Sequence, residues 1–200
     1  MSKRPIEYDT GFTLLPGAYN IKFLARDDET GRIGTFQTTF VIPNLNKEER
    51  RVPISSVVLS SQRVELKRAI YDAAKAKERA KEDAVNPLVQ GGSKLIPSVT
   101  RVFNSGRSVY VYLQAYRPGS AGETQPLLAF VSLYAAGKEM YKTAPIAVEP
   151  NAATRLGVTP LSFDFGIQQL AAGQYECQVT VLDASSGKAS FWRAPIVITR

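Results

Sequence analysis

The chain repeats itself once. Residues 14–42 align without a gap on residues 170–198, at a constant offset of 156. Leu14, Gly17, Tyr19, Asp27, Gly31, Val41 and Ile42 meet Leu170, Gly173, Tyr175, Asp183, Gly187, Val197 and Ile198, and Arg32/Lys188 and Phe36/Trp192 are alike in kind. Self-similarity at a fixed spacing marks one supersecondary unit used twice. Inside each copy, apolar and polar residues alternate with period two, in Tyr19-Asn20-Ile21-Lys22-Phe23 and in Tyr175-Glu176-Cys177-Gln178-Val179-Thr180-Val181. That period is a strand with one face buried. A short polar loop follows, opened by Asp27 or Asp183 and closed by Gly31 or Gly187. Asp bonds its own turn and Gly supplies a positive φ, so a second strand returns antiparallel and each copy is a β-hairpin.

The hairpin stands at the end of each module, where the last two strands of an immunoglobulin-like sandwich would lie. Tyr175 precedes Cys177 by two residues, the spacing of a tyrosine corner. Cys177 is the only cysteine, so no internal disulfide forms and the expectation is a buried, inert thiol. Ahead of the second hairpin, strand patterns run over 98–103, 108–116, 127–134, 139–143 with 146–149, and 154–165. Turn signals at Asn104-Ser105-Gly106, Pro118-Gly119-Ser120, Ala136-Gly137-Lys138 and Glu149-Pro150-Asn151 separate them. Strands at this spacing predict a complete sandwich over 95–200. The first hairpin has only 6–13 before it and 53–60 after it, which predicts a partial module over 1–60 with one apolar face still to be covered. A second copy of the chain is one possible cover, which makes a homo-oligomer through this module an expectation.

Residues 61–94 break the β pattern. The stretch 63–84 is rich in Ala, Lys, Glu and Arg and free of Gly and Pro, which predicts a connecting α-helix with Ser61 as N-cap and Pro87 as stop. Leu66, Ile70, Tyr71 and Ala74 form a short apolar stripe on it. The fold class expected is therefore mainly β: an immunoglobulin-like antiparallel β-sandwich preceded by a partial sandwich and one helix.

Composition narrows the function classes. The net charge of +7 is spread along 200 residues rather than gathered into a basic stripe, which argues for solubility and against nucleic-acid binding. No apolar run is long enough to span a bilayer, and the first residues carry no signal peptide. With no histidine and one cysteine, the usual zinc ligand sets and a Ser-His-Asp triad cannot form. The reading is a chain that is not an enzyme and needs no cofactor. An enzyme would require a carboxylate pair such as Asp164 with Glu176 to converge.

The segments Pro53-Ile54-Ser55-Ser56-Val57-Val58-Leu59-Ser60-Ser61-Gln62, Asn86-Pro87-Leu88-Val89, Lys94-Leu95-Ile96-Pro97-Ser98-Val99-Thr100-Arg101-Val102-Phe103 and Val109-Tyr110-Val111-Tyr112-Leu113-Gln114-Ala115-Tyr116 carry a resemblance. With the Leu15-Pro16-Gly17-Ala18-Tyr19 turn, they make the chain resemble the C-terminal region of the von Willebrand factor A-related proteins of Acidobacteria. The likeness runs over nearly the whole chain without one diagnostic motif. It implies a fragment of a larger bacterial protein, a periplasmic or secreted location, and an A-type domain ahead of this region. An A domain holds metal through an Asp-x-Ser-x-Ser loop. Asp183-Ala184-Ser185-Ser186-Gly187 comes near it but ends on Gly, so a turn is the expected reading. Asp27-Asp28-Glu29 is one acidic loop tip, too few oxygens for calcium. Gly91-Gly92-Ser93-Lys94 lacks the first glycine of a phosphate loop and reads as linker.

The aromatic residues are the strongest functional signal. Tyr110, Tyr112 and Tyr116 share one face of a strand, opposite Val109, Val111, Leu113 and Ala115. The next strand alternates Leu128, Phe130, Ser132 and Tyr134 against Ala129, Val131 and Leu133. With the aliphatic faces inside, Tyr110, Tyr112, Tyr116, Phe130 and Tyr134 face outward as a partner-binding patch. With the aromatic faces inside, they are core or lie under the helix. The leading functional expectation is a non-catalytic, protein-binding interaction or scaffolding module. The alternative is a carbohydrate-binding module using the tyrosine-rich face.

Overall fold

A computed structural model describes residues 14–65, 86–90, 92–117, 125–149 and 157–200. It is mainly β, in several antiparallel sheets, and divides between Lys47 and Glu48 into two units. The expected strand at 6–13 and the expected helix from Leu66 onward lie outside the described residues.

The first unit holds the first hairpin. β1 (Gly17–Arg26) pairs antiparallel with β2 (Ile33–Ile42), and a single 3-10 turn follows at Leu45–Lys47. Asp27 Oδ1 accepts the amides of Glu29 and Thr30, and the Gly31 amide donates to the Asp27 carbonyl. Gly31 sits at φ 67°, as its place in the loop requires.

Two of the three sheets described in the second unit enclose one apolar core. The larger has the order β10-β9-β13-β14-β7: β10 (Lys138–Lys142), β9 (Leu127–Ala135), β13 (Gly173–Asp183), β14 (Lys188–Thr199) and β7 (Val102–Asn104). A short β11 (Ile146–Val148) adds to β9, and β7 pairs with β14 in parallel. The smaller sheet has the order β12-β8-β3: β12 (Val158–Gly166), β8 (Ser108–Tyr116) and β3 (Val58–Ser60). The inner faces alternate as the sequence predicts. Val109, Val111, Leu113 and Ala115 of β8 meet Ala129, Val131 and Leu133 of β9, with Leu161 and Val179, all at 2% exposure or less. Burying each large apolar side chain stabilises by roughly 1.5–3 kcal/mol. Tyr141 of β10 stacks on Phe165 of β12 with ring centroids 5.4 Å apart, bridging the two sheets.

Two expectations change here. The stretch 53–60, expected beside the first hairpin, runs along β8 instead. Val58, Leu59 and Ser60 pair with Tyr112, Val111 and Tyr110, and Ile54 bridges to Ala115. Val52 and Leu59 enter the second unit's core, so the division falls earlier than residue 60. The alternation of 53–60 fits any sheet edge, and only the non-local pairing chooses between them. Second, residues expected to begin the helix are extended: β4 (Gln62–Glu65) pairs with β6 (Ser93–Ile96), which also pairs with β5 (Val89–Gln90). Ser60 Oγ, fully buried, donates to the Ile96 carbonyl and accepts the Gln62 amide, which turns the chain out of β3 into β4. This short-range bond, with the ladder to β6, overrides the helix propensity of Arg63 and Glu65.

Among the described residues, one buried ion pair joins the sheets. Arg117 follows β8, and Asp183 ends β13. Arg117 Nε and Nη2 donate to the two carboxylate oxygens of Asp183 at 3.1 and 2.7 Å, and Nη1 donates to the Gln125 carbonyl at 2.8 Å. Burial raises the Asp183 carboxyl, but hydrogen bonds from Ser185 and Ser186 and the Arg117 charge outweigh it. The net pKa lies below the ordinary carboxylate value. Gly157, at φ 57°, packs so close that a Cβ would stand 2.5 Å from the Arg117 carbonyl oxygen.

Cys177 points into the core at 1% exposure, and burial pushes its thiol up to about 12. It should therefore resist thiol reagents in the native state and react only on unfolding. Cys177→Ser should cost roughly 1–3 kcal/mol in denaturant unfolding, because a hydroxyl replaces a weakly polar thiol in an apolar site.

Asp183→Asn should cost about 3–5 kcal/mol, since it leaves the Arg117 charge buried without its counterion. The folded carboxyl titrates below the unfolded one, so the pair's stabilisation is present above the ordinary carboxylate pKa of ~4 and fades as pH falls through the lower folded value. Unfolding free energy measured from pH 7 to pH 2 should show this acid loss in the native sequence and a smaller one in the variant.

Candidate functional site

The alternation of β8 and β9 resolves in favour of an aliphatic core, and this decides where the aromatic residues go. Tyr110, Tyr112 and Tyr116 lie on the outer face of β12-β8-β3. Phe130 and Tyr134 lie on the outer face of β10-β9-β13-β14. Since the two sheets enclose one core, these outer faces look in opposite directions. The single patch of five residues expected from sequence is therefore two separate surfaces. The reading failed because consecutive strands β8 and β9 belong to different sheets.

The tyrosine surface is largely covered. Tyr112 pairs with Val58 on one side and Ser162 on the other and is only 4% exposed. The guanidinium carbon of Arg63, on β4, stands 4.7 Å from the centre of the Tyr110 ring. Tyr116 is half-buried and donates its hydroxyl to Gln114 Oε1 at 3.0 Å. Burial, with Tyr112 nearby, raises its phenol pKa. Neither Tyr110 nor Tyr112 presents the open ring that sugar stacking uses.

The opposite surface is built differently. The ladder sets side chains of three strands in rows: Phe130, Thr180 and Phe191 in one; Ser132, Gln178 and Arg193 in the next; Tyr134, Glu176 and Pro195 beyond. A hydrogen-bonded chain runs from the middle row into the first. Arg193 Nε donates to Gln178 Oε1 at 2.7 Å, and Gln178 Nε2 donates to Thr180 Oγ1 at 3.0 Å. Arg193 also lies 3.5 Å from Glu176 Oε1. On the β10 side, Lys142 Nζ sits 4.2 Å above the centre of the Phe130 ring, and Tyr134 donates to Glu139 Oε2 at 3.3 Å. Phe191, at 61% exposure, stands clear of this network, and Leu128 is also exposed. The result is an aromatic and apolar surface with charges of both signs held in place.

Phe130 and Tyr134 were legible in sequence. Phe191, Arg193, Lys142 and Gln178 were not singled out, although the phase of β14 carries the signal. Phe191, Arg193 and Pro195 alternate against Trp192, Ala194 and Ile196, so Phe191 falls on the outward phase. The remaining sequence candidates take bland places. Asp183 is engaged by Arg117, Ser185 and Ser186, and its loop is a turn like that of Asp27. Asp164 is on the outer face of β12 and Glu176 on the outer face of β13, so this carboxylate pair points apart. No protein-family model and no curated protein matches the chain.

Ser132 is the one oddity of the surface. Its Oγ is fully buried beneath its neighbours and has no hydrogen-bond partner among the described residues. Ser132→Ala removes a desolvated hydroxyl and should leave stability unchanged or raise it by up to about 1 kcal/mol. A loss above that in chemical denaturation would show that the hydroxyl is bonded after all.

Proposed function

We propose that this chain is a non-catalytic interaction or scaffolding module, immunoglobulin-like in fold, that binds a protein partner through the outer face of β10-β9-β13-β14. The strand order supports the fold assignment. One sheet runs in the order of strands C′, C, F and G of such a domain, the other in the order E, B and A. The Tyr175 hydroxyl donates to the Ala171 carbonyl at 2.9 Å, four residues upstream, as in a tyrosine corner. The resemblance to von Willebrand factor A-related proteins supports an exported bacterial protein as the setting.

The carrying observation is Phe191, a large exposed ring beside a pre-ordered row of Gln178 and Arg193. Protein interfaces concentrate their energy in aromatic and arginine anchors surrounded by polar residues. A sheet face needs little reordering on binding, which favours affinity. The carbohydrate-binding alternative rested on the tyrosine face and loses support because Tyr112 is buried and Arg63 lies over the Tyr110 ring.

Phe191→Glu should weaken partner binding at least tenfold, a loss of about 1.4 kcal/mol, while changing unfolding free energy by no more than about 0.5 kcal/mol. The measurement is affinity capture from exported proteins by the native chain and the variant in parallel, followed by titration of what is retained. A partner held equally by both would remove this face from the reading. Glycan-array binding abolished by Phe191→Glu would instead return the carbohydrate reading.

A further inference from the structure

We propose that hairpin β1–β2 is the closing hairpin of another β-sandwich, and that the sheet it closes against is supplied by polypeptide upstream of it in the same protein. The two hairpins agree atom for atom where local chemistry sets them. Gly17↔Ile42 to Arg26↔Ile33 repeats the register Gly173↔Ile198 to Leu182↔Ala189. Tyr19 donates to the Leu15 carbonyl at 2.8 Å, as Tyr175 does to that of Ala171. Asp27 Oδ1 accepts the amides two and three residues on, as Asp183 Oδ1 does, and Gly31 and Gly187 share φ 67°.

Their surroundings differ. β13 is flanked by β9 and β14 by β7, and Tyr175, Cys177, Val179 and Val181 are buried against the facing sheet. Among the described residues β1 and β2 pair only with each other. The equivalent face carries Tyr19, Ile21, Phe23, Phe36, Phe40 and Ile42, with Phe36 at 62% and Phe23 at 44% exposure. It is uncharged, since Lys22 and Arg26 fall on the other phase.

The second copy states what should lie on it. The cover is a sheet with an apolar inner face, Val109, Val111, Leu113, Leu161, Phe163 and Phe165 among its residues, and it brings an arginine. Arg117 pairs with Asp183 from 66 residues upstream. Asp27 is the equivalent carboxylate, its pKa lowered by the Thr30 and Glu29 amides, and among the described residues no cation pairs with it. Every strand that flanks or faces β13–β14 precedes it in sequence. The same spacing sets the arginine for Asp27 ahead of residue 1. A second copy of the hairpin fits less well. It brings no arginine to Asp27, and it offers two strands where β13–β14 is faced by a sheet of three.

Amide hydrogen exchange tests this on the 200-residue chain and on the chain extended by its natural upstream sequence. In the 200-residue chain, amides of β1 and β2 should exchange at least ~100-fold faster than those of β13 and β14. In the extended chain that gap should fall below tenfold. There Asp27→Asn and Phe36→Asn should reopen it, while Leu24→Asn, on the opposite face, should not. Equal protection of both hairpins in the 200-residue chain at every concentration would overturn the proposal in favour of cover within the chain. Protection that rises with concentration, with a dimer in sedimentation velocity, would overturn it in favour of a second copy. An extension that leaves β1–β2 unprotected, or the absence of any upstream polypeptide, would overturn it outright.

Discussion

The stacked sheets of the second unit are held in register at one end by Arg117 and Asp183. An ion pair taken out of water is costly, and attraction between the charges repays that only when their remaining hydrogen-bonding capacity is met. Here it is met. Arg117 spends its guanidinium on both Asp183 oxygens and on the Gln125 carbonyl, while Asp183 also receives Ser185 and Ser186. Hydrophobic burial drives the sheets together without choosing their alignment, because a slip of one side chain against another changes the buried area little. A bidentate pair has one geometry. Its benefit is therefore specificity of stacking more than net stability. Gly157 belongs to the same device, since its close approach to the Arg117 carbonyl admits no side chain.

That pair was not legible in sequence. Arg117 sits beside Pro118, where turn chemistry dominates, and Asp183 explains itself locally as the residue that opens the hairpin loop. What could be read was whatever depends on near neighbours. The bounds of β8, the two hairpins, their positive-φ glycines and the burial of Cys177 all follow from period-two alternation and turn residues. What could not be read depends on pairing across long stretches of chain. Alternation says that one face of β8 is buried but not which, because Tyr and Val are both strand formers with apolar bodies. The phase was settled by packing: the aliphatic faces of β8 and β9 meet in one core with aromatic residues such as Phe163 and Phe165, and the Tyr116 hydroxyl finds its partner, Gln114, on the outside. For the same reason 53–60 could be read as a strand but not assigned to β8.

The candidate surface shows this limit in another form. Phe130 and Tyr134 were found because they share a strand with an obvious core face. Their relation to Phe191 and Arg193 exists only through β13, which lies between the strands that carry them. A surface on a sheet is a set of rows across strands, and sequence order runs along the other axis. The tyrosines of β8, adjacent in sequence, form a row along one strand and were therefore easy to see. They proved to be the better-covered group.

The duplicated hairpin separates two contributions that are usually inseparable. Its Tyr-to-carbonyl bond, its Asp-bonded loop and its glycine are the same in both copies, whether the apolar face is buried by a facing sheet or exposed to solvent. Local chemistry alone is therefore enough to specify the shape. It is not enough to stabilise it, because a two-stranded sheet is marginal in water without something packed on its face. The face itself has diverged in the direction this predicts. Val179, Val181 and Ile196 of the buried copy correspond to Phe23, Ala25 and Phe40 in the other, so bulk has been redistributed while charge has stayed absent. Had the first face been adapted to water, polar residues at Phe23, Phe36 and Phe40 would have been tolerated by the same backbone. Their absence is the physical reason to treat that face as an interior surface rather than as the outside of a small sheet.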